Sequence, residues 1–357
     1  MSTFDFNSNI KTELIEMPWG MKCWQAVYNE DADARLHGFK AIIVADTLNS
    51  SDERLTTMIT RFPRCILAEV NTHRVFSRNS ASSRARSVKT TIKAVMDDPY
   101  VPLFTRNHKG MGGEIITDGV EIENARHYWL DARDDAVKSE LRMLVGDTMG
   151  EIHAADYERI IDAYYEKIYN IPDSEKEPQY MIAPDVHKQN ANRLIEPFMW
   201  HEALITSSYW DNFYNLRISD FAQPEIHALA CLMRAAQNAS KPVHSNVHIP
   251  FVSIDEYENG FNDWNELRGV LMDSASECAR ISYKDRSKTA KSDNKALAER
   301  LLHDGHMSPL EHQALSKDYY NDLHDDNVIT DDVYHDDGNM HGNLSAGWVQ
   351  CRHILGN

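Results

Sequence analysis

No apolar run in this 357-residue chain is long enough to cross a bilayer, and its start, MSTFDFNSNIKTELIE, has no signal-peptide core. A membrane protein is therefore not expected, and a cytoplasmic one is. Cysteines are few, at positions 23, 65, 231, 278 and 351. They are scattered, odd in number and without a C-x-x-C pair, which argues for reduced thiols. Bases are in deficit as well: Lys and Arg number 37 against 55 Asp and Glu, for a formal net charge of -18. That balance is unsuited to a nucleic acid polymer as partner. No G-x-G-x-x-G dinucleotide fingerprint is present either. What is there is ordinary for a globular chain, 42% hydrophobic and 26% charged, and long enough to bury a sizeable core.

Against this acidic background, residues 71–93 (NTHRVFSRNSASSRARSVKTTIK) hold Arg74, Arg78, Arg84, Arg86, Lys89 and Lys93 and no acid. Ser77, Asn79, Ser80, Ser82, Ser83 and Ser87 are interleaved. Upstream, Ile66, Leu67 and Val70 recur at helical spacing, which predicts a helix ending near His73 and Arg74 and a polar loop beyond it. Arginine forks, hydroxyls and closely approaching backbone N–H groups suit a phosphate or another small dianion. A solvated face is the ordinary reading of a charge run. Here the local charge opposes the global one and an apolar helix leads into it, which favours an anion site.

The rest of the chain reads as mixed structure. FKAIIV (39–44) and RLTTMITRF (54–62) have strand patterns, the second ended by Pro63. The Pro/Gly-rich stretch 97–118 predicts an ordered loop, either a pocket cover or a connector. Residues 121–169 predict helix, with Tyr128, Trp129, Ala132, Val137, Leu141, Leu144 and Val145 on its apolar face. Together these make an inserted elaboration over 97–185. Two helices are expected in 186–240, the second starting near Pro224, and helical structure again at 277–285. Residues 318–337 carry eight aspartates and no Lys or Arg. An acidic loop over 318–342 is expected, as a solvated segment in preference to a divalent-ion site. The tail GNLSAGWVQCRHILGN is apolar enough to dock back on the body. The fold class expected is α+β, an antiparallel or mixed sheet core with helices, in one domain over 1–357.

Five segments carry a family resemblance. H-R-x-x-S-x-N-x-x-S-x-R, met as His73, Arg74, Ser77, Asn79, Ser82 and Arg84, resembles the signature of flavin-dependent thymidylate synthases. Arg193 to Pro197 is similar to that family's R-x-x-x-P segment. Asn212-Phe-Tyr-Asn-Leu-Arg217, with Ala222-Gln-Pro-Glu-Ile226, is similar to its N-F-x-x-L-R-x-x-x-x-A-Q-x-E-I helix. Ala279-Arg-Ile-Ser282 and His306, Ser308, Pro309, Glu311 and His312 resemble its A-R-x-S and H-x-[ST]-P-x-E-H segments. In most of the family the last two precede the H-R-x-x-S segment; here they follow everything else, as in a circular permutation. Without the resemblance, His303, His306, Glu311 and His312 would suggest a metal site, but the spacing is not H-E-x-x-H and no cysteine joins them, so metal is the weaker reading.

The resemblance implies an enzyme that methylates dUMP to dTMP using FAD, NADPH and methylenetetrahydrofolate, as a homotetramer. It implies Ser82, Ser83, Arg84, Arg193, Arg217 and Glu69 for the nucleotide. His73, Arg74, Asn212, Ser282, His306, Ser308 and Glu311 are implied for FAD. The resemblance further implies Arg217 and Arg84 for catalysis, Arg217 by stabilising negative charge on the pyrimidine. The flavin route needs no protein nucleophile, and no cysteine here has a basic, activating setting. Thr72 and Ser80 stand where the family has arginine and glutamate, and Glu69 lies close to where it has a glutamine. These changes fall on the nucleotide side. They keep two alternatives open: modification of another pyrimidine nucleotide (dUMP hydroxymethylation or dCMP methylation), or a non-enzymatic nucleotide-binding protein.

Overall fold

Runs rich in Ile, Val and Thr near the start of the chain fold as strands. The computed structural model describes residues 4–82, 84–109, 113–146, 152–170, 186–253, 255, 260–282, 291–326, 328 and 340–355. Its backbone divides into two compact units. Unit 1 comprises Met1–Phe4, Pro63–Leu67 and Ala81–His201, and unit 2 comprises Asp5–Phe62, Ala68–Ser80 and Glu202–Asn357. The architecture is mixed helix and sheet, of the α+β kind.

Unit 2 is built on a seven-stranded sheet. Its strands are β1 (Ile10–Glu16), β2 (Lys22–Tyr28), β3 (Lys40–Leu48), β4 (Arg54–Pro63), β5 (Ser77–Ser80), β6 (Trp200–Ser207) and β7 (Val243–His244). The order is β1-β2-β3-β4-β6-β5, with β7 added in parallel to β3. The β1–β2, β2–β3, β3–β4 and β5–β6 pairs are antiparallel. Strand β4 is covered on both faces, so its threonines need internal partners. They have them: Thr56 Oγ1 donates to Asp46 Oδ1 at 3.0 Å, and Thr60 Oγ1 to the Ala203 carbonyl at 3.0 Å. A second, antiparallel sheet runs β10-β9-β8, from β8 (Val247–His248), β9 (Ala314–Ser316) and β10 (Trp348–Gln350). The apolar tail thus docks as a strand.

The helices of unit 2 fill in around these sheets. The short α1 (Leu67–Val70) leads to His73. Next come α6 (Asp211–Arg217) and α7 (Pro224–Ala239), whose first turn holds Pro224 as expected. Tyr28 on β2 donates its hydroxyl to the Ala228 carbonyl at 3.2 Å, tying α7 to the sheet. The remaining helices are α8 (Trp264–Ala279), α9 (Lys291–His303), α10 (Lys317–Asp325) and α11 (Arg352–Leu355). Leu267, Leu271 and Ala275 of α8 are buried in a core with Leu315 and Val349 from the second sheet.

Unit 1 is largely helical: α2 (Val88–Asp97), α3 (Gly119–Val145), α4 (Tyr157–Asn170), α5 (Lys188–Ala191) and a 3-10 turn at Asn192–Phe198. Asp118 caps α3, accepting from the N–H groups of Val120 and Glu121 at 3.0 Å. Val137, Leu141, Leu144 and Val145 are buried against Val88, Ile92 and Val95 of α2 and Ile160 and Ile161 of α4. Each fully buried side chain of this kind contributes about 1.5–3 kcal/mol. Tyr128, expected on the apolar face, is exposed instead, while Trp129 donates to the Tyr100 carbonyl at 2.7 Å. The 97–185 elaboration falls wholly within unit 1.

Three expectations are corrected. The polar loop beyond Arg74 is in part strand β5 and helix α2, because Val88, Ile92 and Val95 form an amphipathic face hidden among serines and lysines. The 186–240 stretch holds a strand, β6, whose Ala203–Ser207 segment is buried by the sheet. Residues 318–325 of the acidic segment are helical, α10, started by the Ser316 hydroxyl accepting from the Tyr319 N–H at 3.3 Å. Residues 327 and 329–339 lie outside the described residues.

Candidate functional site

The site in unit 2 grows from α6. Phe213 and Arg217 are four residues apart and so share a helix face. Both meet His73, which follows α1 in a turn closed by its own N–H on the Val70 carbonyl at 3.2 Å. The Phe213 ring stands edge-on to the imidazole at 4.9 Å. Arg217 Nε donates to His73 Nε2 at 2.9 Å, Nη2 donates to Thr72 Oγ1 at 3.3 Å, and Nη1 forms an ion pair with Glu69. Since Nε2 accepts, the imidazole is neutral, with its proton on Nδ1. Burial, reinforced by the charges of Arg217 and Arg78, pushes its pKa down to about 4. Two residues predicted for the nucleotide, Arg217 and Glu69, are thus partners of each other, and His73, predicted for the flavin, orients the first.

The second feature of unit 2 is a cavity of about 400 Å³, lined by Arg74, Phe76, Arg78, Glu311, Asn343, Gln350 and Arg352 among others. Its volume lies in the range of small-molecule sites. Arg74 is exposed and has no hydrogen-bond partner among the described residues. Arg78 Nη1 donates to the carbonyls of Val70 at 3.3 Å and His73 at 3.4 Å, which links the cavity wall to the His73 turn. Glu311 forms an ion pair with Arg352. Burial raises the Glu311 pKa, against the opposing pull of Arg352 and Arg78. Arg74 and Glu311, predicted together for FAD and over 200 residues apart in sequence, line one cavity.

Gln350 holds this arrangement together. Its Nε2 lies 3.0 Å from Ser77 Oγ, 2.8 Å from the Glu311 carbonyl and 3.0 Å from Asn343 Oδ1. Ser77 Oγ in turn donates to Asn343 Oδ1 at 3.0 Å. Asn79 Nδ2 donates to the Cys278 carbonyl at 3.3 Å, next to the Ala279–Ser282 segment. Beneath the site runs a buried chain of side chains: Thr47 Oγ1 to His248 Nδ1, 2.7 Å; His248 Nε2 to Thr57 Oγ1, 2.8 Å; Thr57 to Thr206, 2.7 Å; and Thr206 to His312 Nδ1, 2.7 Å. Burial holds both imidazoles neutral, their pKa values pushed down to about 3.

The other predicted residues are placed differently. Asn212, His306 and Ser308 are exposed and do not line the cavity. Ser282 ends the 3-10 turn Arg280–Ser282, its side chain outside the described residues, as is Ser83. Ser82, Arg84 and Arg193 belong to unit 1 and are exposed. Near Ser82, Arg64 donates to the Ala81 carbonyl at 3.1 Å and to His201 Nδ1 at 3.0 Å, and pairs with Glu196 at 3.2 Å. Lys89 and Lys93 of the basic stretch sit on α2, where they pair with Asp162 at 2.6 Å and Asp97 at 3.0 Å. Cys23, Cys231, Cys278 and Cys351 are buried and Cys65 exposed; burial lifts the Cys23 and Cys231 thiols to about 11 and 12.

Asn343, Gln350 and Arg352 escaped the sequence reading, since they belong to no motif. The trace of Gln350 and Arg352 is a Gln-Cys-Arg-His run inside an apolar tail, and Asn343 has none. In comparisons with known proteins, no family model and no curated protein matches the chain.

Proposed function

We propose that the chain is a permuted enzyme of the flavin-dependent thymidylate synthase kind, methylating dUMP to dTMP with methylenetetrahydrofolate, FAD and NADPH. One observation carries the reading. Segments around residues 73–79, 213–217, 278 and 311, which resemble that family in scattered order along the chain, meet one another in unit 2 through His73–Arg217, Asn79–Cys278 and Ser77–Gln350–Glu311.

The cavity suits a flavin nucleotide. Three guanidiniums match its phosphates, and Glu311, Asn343 and Gln350 offer partners for its hydroxyls and ring edges. Arg74, Glu311 and their neighbours would hold FAD, which when bound supplies the hydride chemistry of the reductive methylation. Arg217 places a cation, aimed by neutral His73 and by Glu69, where a pyrimidine ring gaining negative charge would be stabilised. The resemblance implies Ser82, Arg84 and Arg193 for the nucleotide phosphate, and all three are exposed in unit 1. The raised pKa values of buried Cys23 and Cys231 make these two thiols poor nucleophiles. The resemblance also implies a homotetramer.

The test is tritium release from C5-labelled dUMP. Release that requires FAD, NADPH and methylenetetrahydrofolate, with dTMP as product, is expected. A folded, FAD-supplemented protein that releases no tritium and modifies neither dUMP nor dCMP would overturn the enzymatic reading in favour of a nucleotide-binding protein. Thr72 supports keeping dCMP in that assay. Where the family has arginine, this hydroxyl accepts from Arg217, so the cation faces a different neighbour.

A further inference from the structure

The unit 2 cavity has a charge balance that its internal pairing does not use up. Arg74, Arg78 and Arg352 face a single carboxylate, Glu311, so the lining carries an excess of two positive charges in a protein of formal net charge -18. Arg78 is anchored on backbone carbonyls and Arg74 has no hydrogen-bond partner among the described residues. Among the described residues Arg352 pairs with Glu311 alone, its side chain 39% exposed. Glu311 is itself fixed from behind, its carbonyl accepting from Gln350. Arg352 meets Glu311 through Nη1 alone, and a guanidinium can exchange a carboxylate for a phosphate at small geometric cost because both present a pair of oxygens.

We infer that Arg352, supplied by the C-terminal segment outside every recognised motif, binds the diphosphate of a dinucleotide by leaving Glu311 for it. Glu311 is then a place-holder that keeps Arg352 aimed while the cavity is empty of ligand, and it competes with the incoming anion. The doubly charged diphosphate matches the excess of two charges. Gln350 and Asn343 set the position of the segment: Gly342, at φ +58°, turns the chain where a Cβ would collide with the Gln350 amide. The inference rests on the flavin reading for the identity of the ligand as FAD, and on the cavity's charge for its diphosphate.

Direct binding tests it, on the full chain, with FAD and with ADP as a flavin-free diphosphate. Wild type should bind both. Arg352→Gln should weaken both at least tenfold, as expected for loss of one charged hydrogen bond, while Arg352→Lys recovers part of the affinity. Glu311→Gln should bind ADP more tightly than wild type, because it frees Arg352. Circular dichroism identifies any variant that fails to fold, and the Lys variant then carries the comparison. Equal ADP and FAD binding by wild type and Arg352→Gln would overturn the inference and leave the flavin reading standing. Weaker ADP binding by Glu311→Gln would overturn the partner exchange. Arg352-dependent ADP binding without FAD binding would support the inference and overturn the flavin reading, and a wild type that binds neither overturns both.

Discussion

Two buried ionisable side chains, His73 in unit 2 and Glu140 in unit 1, are held in opposite ways, the first hydrogen-bonded and the second without a partner among the described residues. In unit 2, His73, Ser77, Asn79, His248, His312 and Gln350 are buried, and each is hydrogen-bonded to a named side chain or carbonyl. In unit 1, His201 is bound to Arg64, but Glu140 on α3 is fully buried and neither carboxyl oxygen has a hydrogen-bond partner among the described residues. The single motif from His73 to Arg84 runs from one unit into the other: His73, Ser77 and Asn79 are buried and bonded, while Arg74, Ser82 and Arg84 are exposed. Paired groups are held in one orientation before any ligand arrives, which is what a site needs of its supporting residues. Exposed ones are left to whatever binds them.

The sharpest way to probe the two groups is pH, because burial raises the pKa of a carboxyl and lowers that of an imidazole. Burial pushes the Glu140 carboxyl up to about 8 from 4.5. Protons therefore bind the folded chain more readily, and the stability present below pH 4.5 is lost as pH rises through 8, by about 5 kcal/mol. Glu140→Gln, which cannot ionise, should match wild type near pH 4.5 and exceed it in urea unfolding at pH 8.5. Parallel stability curves for the two would show that Glu140 has a partner in solution.

His73 should show the reverse at smaller scale. Its pKa of about 4 lies below the ordinary 6.5, so protons favour the unfolded chain. Stability present above pH 6.5 is lost as pH falls through 4, by up to about 3 kcal/mol. His73→Gln should flatten that part of the pH profile; an unchanged slope would mean that the imidazole titrates freely.

Arg84→Ala and Arg193→Ala should cost no more than about 0.5 kcal/mol of stability, as exposed side chains do. Each should nonetheless weaken dUMP binding by about 1.5–3 kcal/mol, the worth of a charged hydrogen bond. A stability loss as large as that of His73→Gln would erase the distinction between the motif's buried and exposed residues. The smallest effect is expected at Cys65, the exposed thiol: Cys65→Ser should leave turnover unchanged, and abolished activity with FAD binding retained would indicate a cysteine nucleophile.

Much of this was legible in the sequence where a local rule decides. Strands β3 and β4, the Pro224 start of α7 and the α3 core positions follow from periodicity and turn chemistry. Strand β6 was hidden because Trp200–Ser207 carries His201 and Glu202, and only its place inside the sheet buries it. Helix α2 was hidden because its polar face dominates the composition. At the candidate site, the motifs pointed to His73, Arg74, Arg217 and Glu311, yet not to Arg217 resting on His73 and Glu69. Gln350, Asn343 and Arg352 enter only through the tail docking as β10, a long-range event with no local signature.

The central claim is that segments distant in sequence form one flavin site in unit 2, and hydrogen exchange with and without FAD tests it most directly. Bound FAD should slow exchange together in residues 73–80, 211–217, 278–282, 308–312 and 340–353. Protection confined to one of these segments, or absent from all of them in a folded protein saturated with FAD, would contradict it.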